Sequence, residues 1–244
     1  MRPGNPLFGH GRGRSSRKVG RVLPSARKQA GAYYTPEDIA ASLVRWAVYR
    51  DTDRMLDPSC GDGRFIALHC HSVGVEQDTD AVSTARERAP WATVHGQEFF
   101  AWATETGERF DCAAGNPPFI RYQRFKGEVR RSALELCSRI GASFSGLASS
   151  WAPFLVATAS LLRPNGRMAF VVPAEIGHAP YAAPVLRYLA DNFSVVQVVA
   201  VREKIFAELS EDSWLLYAEG VRGSDRSLRF HHARAGGLRA GTPD

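Results

Sequence analysis

The chain has 244 residues, 44% of them hydrophobic, which is enough apolar material for one sizeable core with at most a small appendage. Its formal charge of +6 is concentrated in residues 1–32, which hold eight Lys or Arg and no acid, while in the rest of the chain the acidic side chains slightly outnumber the basic ones. No run approaches the ~18 apolar residues of a membrane helix, the N-terminus shows no apolar stretch of secretory type, and the four cysteines form no CxxC pair, so the expectation is a cytoplasmic protein with reduced thiols and no membrane partner.

Taken in order, residues 1–30 read as a basic flexible tail, whose charge suits a phosphate backbone and equally a solvated leader. Thr35 is a predicted N-cap and Pro36 a first helical residue, followed by a helix with Ile39, Leu43, Val44 and Ala47 at helical spacing. Arg54 to Asp57 reads as a short strand, broken by Pro58-Ser59-Cys60-Gly61-Asp62-Gly63 and followed by a helix from about Arg64. Strand, glycine-rich turn and helix form the first unit of a doubly wound α/β sheet. A second strand, Ser72–Val75, ends in Glu76, at the distance beyond the first strand where a carboxylate is placed to accept from ribose hydroxyls. The third glycine of a dinucleotide fingerprint is replaced by Ile66, so a ligand with adenosine but no phosphates fits better. S-adenosylmethionine is such a ligand, its amino-acid end near Asp57 and the Gly61–Gly63 turn.

A helix over Thr79–Ala89 and a strand near Ala92–His95 lead to Gly96-Gln97-Glu98-Phe99-Phe100. Glu98 can accept from an adenine amino group with Phe99 against the ring; the competing reading makes Phe99, Phe100 and Trp102 core residues of a short helix. A buried strand, Phe110–Ala114, then delivers Gly115-Asn116-Pro117-Pro118-Phe119. Each proline fixes its own φ and extends the residue before it, so a carboxamide and carbonyls are held rigidly beside an aromatic face. That arrangement suits gripping a planar group by its –NH2 while a ring stacks on it, although a polyproline turn capping a strand has the same letters. Loops at the carboxyl ends of parallel strands converge, so Asp57, Glu76, Glu98 and Asn116 are expected around one crevice.

Residues 121–150 carry six Lys or Arg against two acids, either a flap that attracts a polyanion or a solvated helix face. A helix over Trp151–Leu162, a turn at Pro164-Asn165-Gly166, a strand over Arg167–Pro173, a helix over Ala183–Asn192 and strands over Ser194–Val201 and Ser213–Ala218 complete a sheet of about seven strands. Lys204-Ile205-Phe206 is expected to loop back toward the crevice. The organisation read from this is a tail to residue 30, one catalytic domain over 31–220 and a polar C-terminal tail over 221–244, with His231 and His232 in that tail and no metal site.

Four segments, Ala32-Tyr33-Tyr34-Thr35-Pro36, Leu56-Asp57-Pro58-Ser59-Cys60-Gly61-Asp62-Gly63, Gly74-Val75-Glu76 and Gly115-Asn116-Pro117-Pro118-Phe119-Ile120-Arg121-Tyr122-Gln123, resemble in kind and order the gamma class (TaqI type) of DNA adenine-N6 methyltransferases. The resemblance implies a class I, Rossmann-like S-adenosylmethionine-dependent methyltransferase fold with helices on both faces of a mostly parallel sheet. It implies that Tyr34, Thr35 and Pro36 close over the methionine end of the cofactor, that Asp57, Pro58, Cys60, Gly61 and Gly63 form its bed, that Glu76 holds the ribose, and that Glu98 and Phe99 hold the adenine. Asn116 with the Pro117 carbonyl would grip the target amine, Pro118 would keep the loop rigid, Phe119 would stack on the flipped base, and Arg121, Tyr122 and Phe206 would touch the substrate. DNA is the implied partner, in a restriction-modification or related defence system. The family usually carries a further target-recognition domain, so a fragment, a split enzyme with a separate recognition or restriction subunit, and a degenerate silent subunit stay open. Asn-Pro-Pro-Phe is shared with glutamine-N5 protein and RNA adenine methyltransferases, which stand as alternatives.

Overall fold

The computed structural model describes residues 35–144, 148–201, 205, 212–221 and 227–233. The expected tail over 1–30, Tyr34, Phe206 and residues 234–244 lie outside the described residues. The elements are α1 (Glu37–Ala47), β1 (Met55–Asp57), β2 (Ser72–Glu76), α2 (Thr79–Arg88), β3 (Thr93–Gly96), α3 (Phe99–Glu105), β4 (Phe110–Gly115), α4 (Gly127–Arg139), α5 (Trp151–Ser160), β5 (Leu162–Pro173), α6 (Ala183–Asn192), β6 (Phe193–Val201), β7 (Ser213–Val221) and β8 (Ser227–Ala233).

They build an eight-stranded sheet in the order β3-β2-β1-β4-β5-β7-β6-β8. From β3 to β5 every pair is parallel; β7 runs antiparallel to both β5 and β6, and β8 is parallel to β6. β1 and β4 are neighbours, and the chain winds outward from β1 through β2 to β3 and from β4 to β5. Their carboxyl ends therefore flank the point where the strand order reverses, which is where such sheets leave a crevice.

Both faces of the sheet are covered, which explains why Cys112 to Ala114 of β4 and Met168 to Val172 of β5 are apolar at successive positions instead of alternating. Along β5, Met168, Phe170 and Val172 pack toward α3, α5 and α6, while Ala169 and Val171 pack toward α1. A third cluster, with Cys60, Ile66, Val82, Ala85 and Val94, lies under α2. Among the described residues no helix is long and apolar enough to cross a membrane.

Four expectations need correction. Pro36, not Thr35, occupies the N-cap of α1, and no side chain caps that helix. The helix expected from Arg64 is only a 3-10 turn over Ile66–Leu68. His69 ends it in an extended conformation, with its ring Nε2 2.5 Å from the Asp53 carbonyl and its own carbonyl taken by Ser72 Oγ at 2.7 Å, so the chain is drawn back at once into β2. The turn at 164–166 lies within the long strand β5, where Asn165 takes a positive φ of 61°. The sheet has eight strands, because Ser227–Ala233, within the expected polar tail, pairs with the outer edge of β6.

Candidate active site

The loop after β1 is held by backbone geometry as much as by side chains. Gly63 has φ +86°, and a Cβ there would stand 2.9 Å from the Ala85 Cα of α2, so this turn can approach α2 only as glycine. Glu76, at the tip of β2, accepts from the Gly61 N–H at 3.0 Å through one oxygen and from the Asp78 N–H at 2.8 Å through the other. Its carboxylate is thereby fixed across the mouth of the turn, with acceptor capacity left for hydroxyls. Cys60 is buried, and a Cβ on Gly74 would sit 2.6 Å from its sulfur. Burial pushes that thiol far above the usual range, so Cys60 packs and does not act as a nucleophile.

Asp57, at the end of β1, is 1% exposed. One carboxylate oxygen accepts from the Ser59 N–H at 3.1 Å; the other is buried without a hydrogen-bond partner among the described residues. Burial raises its pKa to about 8; the Ser59 N–H opposes the rise, and the charges of Glu76 and Asp62 add to it. Asp62 is itself neutralised by Arg64 at 3.2 Å and Arg88 at 2.6 Å. Arg64 also donates to the Thr35 carbonyl at 3.1 Å, which brings the segment before α1 to the glycine turn. Thr35 is 2% exposed and its hydroxyl, like the second Asp57 oxygen, is buried without a partner among the described residues. Two orphaned buried oxygens, one of them on a carboxylate, are a donor-poor cradle that an ammonium-bearing amino acid would complete.

β4 ends at Gly115, directly against Asp57: a Cβ on Gly115 would lie 2.6 Å from Asp57 Oδ1. Asn116 follows, its backbone carbonyl accepting from Ser59 Oγ at 3.3 Å. Two residues later, Ser150 stitches the loop from the other side. Its hydroxyl donates to the Pro118 carbonyl and accepts from the Ile120 N–H at 2.9 Å, and its own N–H donates to the Ile120 carbonyl at 2.9 Å. The Asn116 and Pro118 carbonyls are thus both tied down, leaving the Pro117 carbonyl between two anchors. Phe119, half-buried, is packed against the clusters on both faces of the sheet. The sequence reading singles out neither Ser59 nor Ser150. Ser59 lies inside the glycine motif, where a serine reads as turn filler, while Ser150 is distant from Asn116 along the chain and carries no local signal.

The adenine expectation is half corrected. Phe99 is 3% exposed and its ring stacks on Phe154, with centroids 4.9 Å apart and planes 18° apart, so it belongs to the core, as do Phe100 and Trp102. Glu98 is the N-cap of α3, its two oxygens accepting from the Phe100 and Ala101 N–H groups. Pro58 and Pro117 are buried beside the crevice, whereas Arg121 and Tyr122 are exposed on a turn closed by the Arg121 carbonyl, which accepts from Arg124 and Phe125. Among the described residues no group of three or more His, Cys, Asp or Glu could hold a metal ion.

Comparison with known proteins agrees with this architecture. Residues 72–206, more than half of the chain, match the family model for the Eco57I restriction-modification methylase, and residues 20–105 match that for N-6 DNA Methylase. The chain is 30% identical over 186 residues to Type II methyltransferase M.TthHB8I of Thermus thermophilus, covering 72% of this chain and 40% of that protein. It is 27% identical over 196 residues to Type II methyltransferase M.CvrRI of Paramecium bursaria Chlorella virus XZ-6E, covering 76% of this chain and 47% of the relative. It therefore spans less than half the length of either. A Listeria monocytogenes structure assigned to the class I S-adenosylmethionine-dependent methyltransferases superposes with TM-score 0.65 at 18% identity, over 86% of this chain and 69% of that one. On the family match and the sheet together, the chain belongs to the Eco57I restriction-modification methylase family and carries the class I S-adenosylmethionine-dependent methyltransferase fold.

Proposed function

We propose that the chain transfers a methyl group from S-adenosylmethionine to the N6 amino group of adenine in DNA, as the modification activity of a restriction-modification or related defence system. The observation that supports this reading is the close approach of the buried Asp57 carboxylate to the glycine that begins the Asn116 loop, since a cofactor's amino-acid end held at Asp57 would then lie beside an amine held at Asn116.

Asp57 and Thr35 would hold the amino-acid end of the cofactor and Glu76 its ribose, Glu98 keeping acceptor capacity for the adenine amino group. When bound, the cofactor supplies an electrophilic sulfonium methyl. The Asn116 side-chain oxygen and the Pro117 carbonyl would accept the two N–H bonds of the target amine, which is a poor nucleophile because its lone pair is delocalised into the ring. Holding both N–H bonds favours a more tetrahedral nitrogen, so the chain's work is positioning and preorganised hydrogen bonding, with no covalent enzyme intermediate. No strong base is required before attack, since the nitrogen becomes acidic only once it carries the methyl. The amine lies inside a duplex, so the base has to be flipped out, at a cost of a few kcal/mol that stacking on Phe119 partly offsets.

The test is to incubate the chain with S-adenosylmethionine and mixed-sequence duplex DNA, digest to nucleosides and quantify N6-methyladenine by mass spectrometry. RNA and a glutamine-containing peptide run in parallel. Product in DNA that disappears in Asn116→Ala supports the proposal; methylation confined to RNA or peptide, with DNA unmodified, overturns it.

A further inference from the structure

Past the anchored loop the chain forms a second concave feature. Tyr122 and Gln123, on the turn after Ile120, face Lys126, Arg130, Arg131 and Glu135 of the α4 region across a groove of about 710 Å³. The turn is not free to drift. The Arg121 carbonyl accepts from Phe125 at 3.0 Å, Phe125 is 4% exposed with its ring centroid 6.4 Å from that of Phe100, and Ser150 holds Ile120. On the other wall, α4 buries Ala133, Leu136 and Cys137 in the core and so presents its basic side outward.

We propose that this groove seats the phosphate backbone of the DNA strand flanking the flipped adenine; the inference rests on the methyl-transfer reading for the position of that adenine. Three cations line it against one acid, a balance that favours a polyanion. Arg131 is ion-paired with Glu128, but the two side chains are 64% and 71% exposed, and an exposed pair of this kind exchanges readily for a phosphate. Tyr122, 38% exposed at the rim, adds a flat surface on which a base or sugar can lie. Six positions separate Asn116 from Tyr122, at most about 20 Å of chain, the rise of about six base pairs. The groove is therefore within the footprint of a duplex whose adenine is held at Asn116.

The test is the salt dependence of binding, read by fluorescence anisotropy of a labelled duplex over a series of salt concentrations. The double variant Lys126→Gln/Arg130→Gln is compared with Arg50→Gln/Arg109→Gln, a charge-matched pair near the amino ends of β1 and β4, whereas Asn116 follows the carboxyl end of β4. Far-UV circular dichroism and thermal unfolding verify that both variants are folded. The slope of log K against log salt is expected to fall by about 2 in the groove variant and to stay at the wild-type value in the control. Equal slopes in the two variants overturn the proposal, as does wild-type preference for an RNA competitor over the duplex. If wild-type protein makes no N6-methyladenine while the slope still falls only in the groove variant, DNA binding in the groove stands and the methyl-transfer reading falls. If methylation proceeds and the slope ignores the groove, the reverse holds.

Discussion

A Cβ placed on Gly115 would stand 2.6 Å from Asp57 Oδ1. The buried carboxylate at the end of β1 and the start of the Asn116 loop at the end of β4 therefore occupy one packed volume, and neither can be altered without the other moving.

Gly115→Ala is expected to displace either Asp57 or the loop, because the neighbouring Phe170 ring, 3.1 Å from the same Cβ, blocks relaxation on the other side. Overpacking of this kind costs about 1–3 kcal/mol. The variant should lose cofactor affinity and methyl transfer together, measured by calorimetry and by N6-methyladenine yield. Cofactor binding at the wild-type level would show that the glycine serves the loop alone.

Asp57 gives a pH signature. Its folded pKa is raised to about 8 by burial, against about 4 in the unfolded chain, so between these values the folded state holds the extra proton. The associated stability is fully present below about pH 4, declines as pH rises toward 8 and is lost above it. Asp57→Asn should flatten that decline and make the cofactor-free protein more stable at pH 8, by at least about 2 kcal/mol in chemical denaturation. The same variant should bind S-adenosylmethionine much more weakly. Parallel pH–stability curves for variant and wild type would contradict the burial argument.

Ser150→Ala removes the hydroxyl that bridges Pro118 and Ile120, while the backbone bond from its N–H to the Ile120 carbonyl can persist. The loop keeps its path but loses the clamp beside Phe119. The rate of methyl transfer at saturating cofactor and DNA is expected to fall about 10- to 100-fold, with cofactor affinity unchanged, since a small misplacement of a gripping group is costly. A loss seen only in thermal stability, with turnover intact, would reduce Ser150 to a structural role.

Asn116→Ala should abolish methyl transfer and leave cofactor binding within about twofold, an energy difference below about 1 kcal/mol. Nucleoside mass spectrometry and calorimetry separate the two effects. Loss of both in equal measure would remove Asn116 from the grip on the amine.

How far the sequence reaches can be judged residue by residue. The glycine turn, Glu76 and the Asn116 loop were legible because each is a short run in which residue type dictates local geometry: glycine for close approach, an acid at a strand tip, two prolines that extend a carboxamide. The alternation of largely apolar strands with helices likewise determined a doubly wound sheet, since parallel strands covered on both faces are apolar over most of their length. Phe99 shows the limit. Adjacent to an acid at a strand end it reads equally as a stacking platform and as core, and only Phe154, far along the chain, decides for the core. β8 shows another: Leu228 and Phe230 are 41% and 52% exposed, so no buried face announces the strand, and the edge of β6 supplies what makes it one. Ser150 and the Asp57 oxygen that has no hydrogen-bond partner among the described residues belong to the same class. Hydrogen bonding and desolvation depend on which atoms come within about 3 Å, and the tertiary structure alone sets those distances.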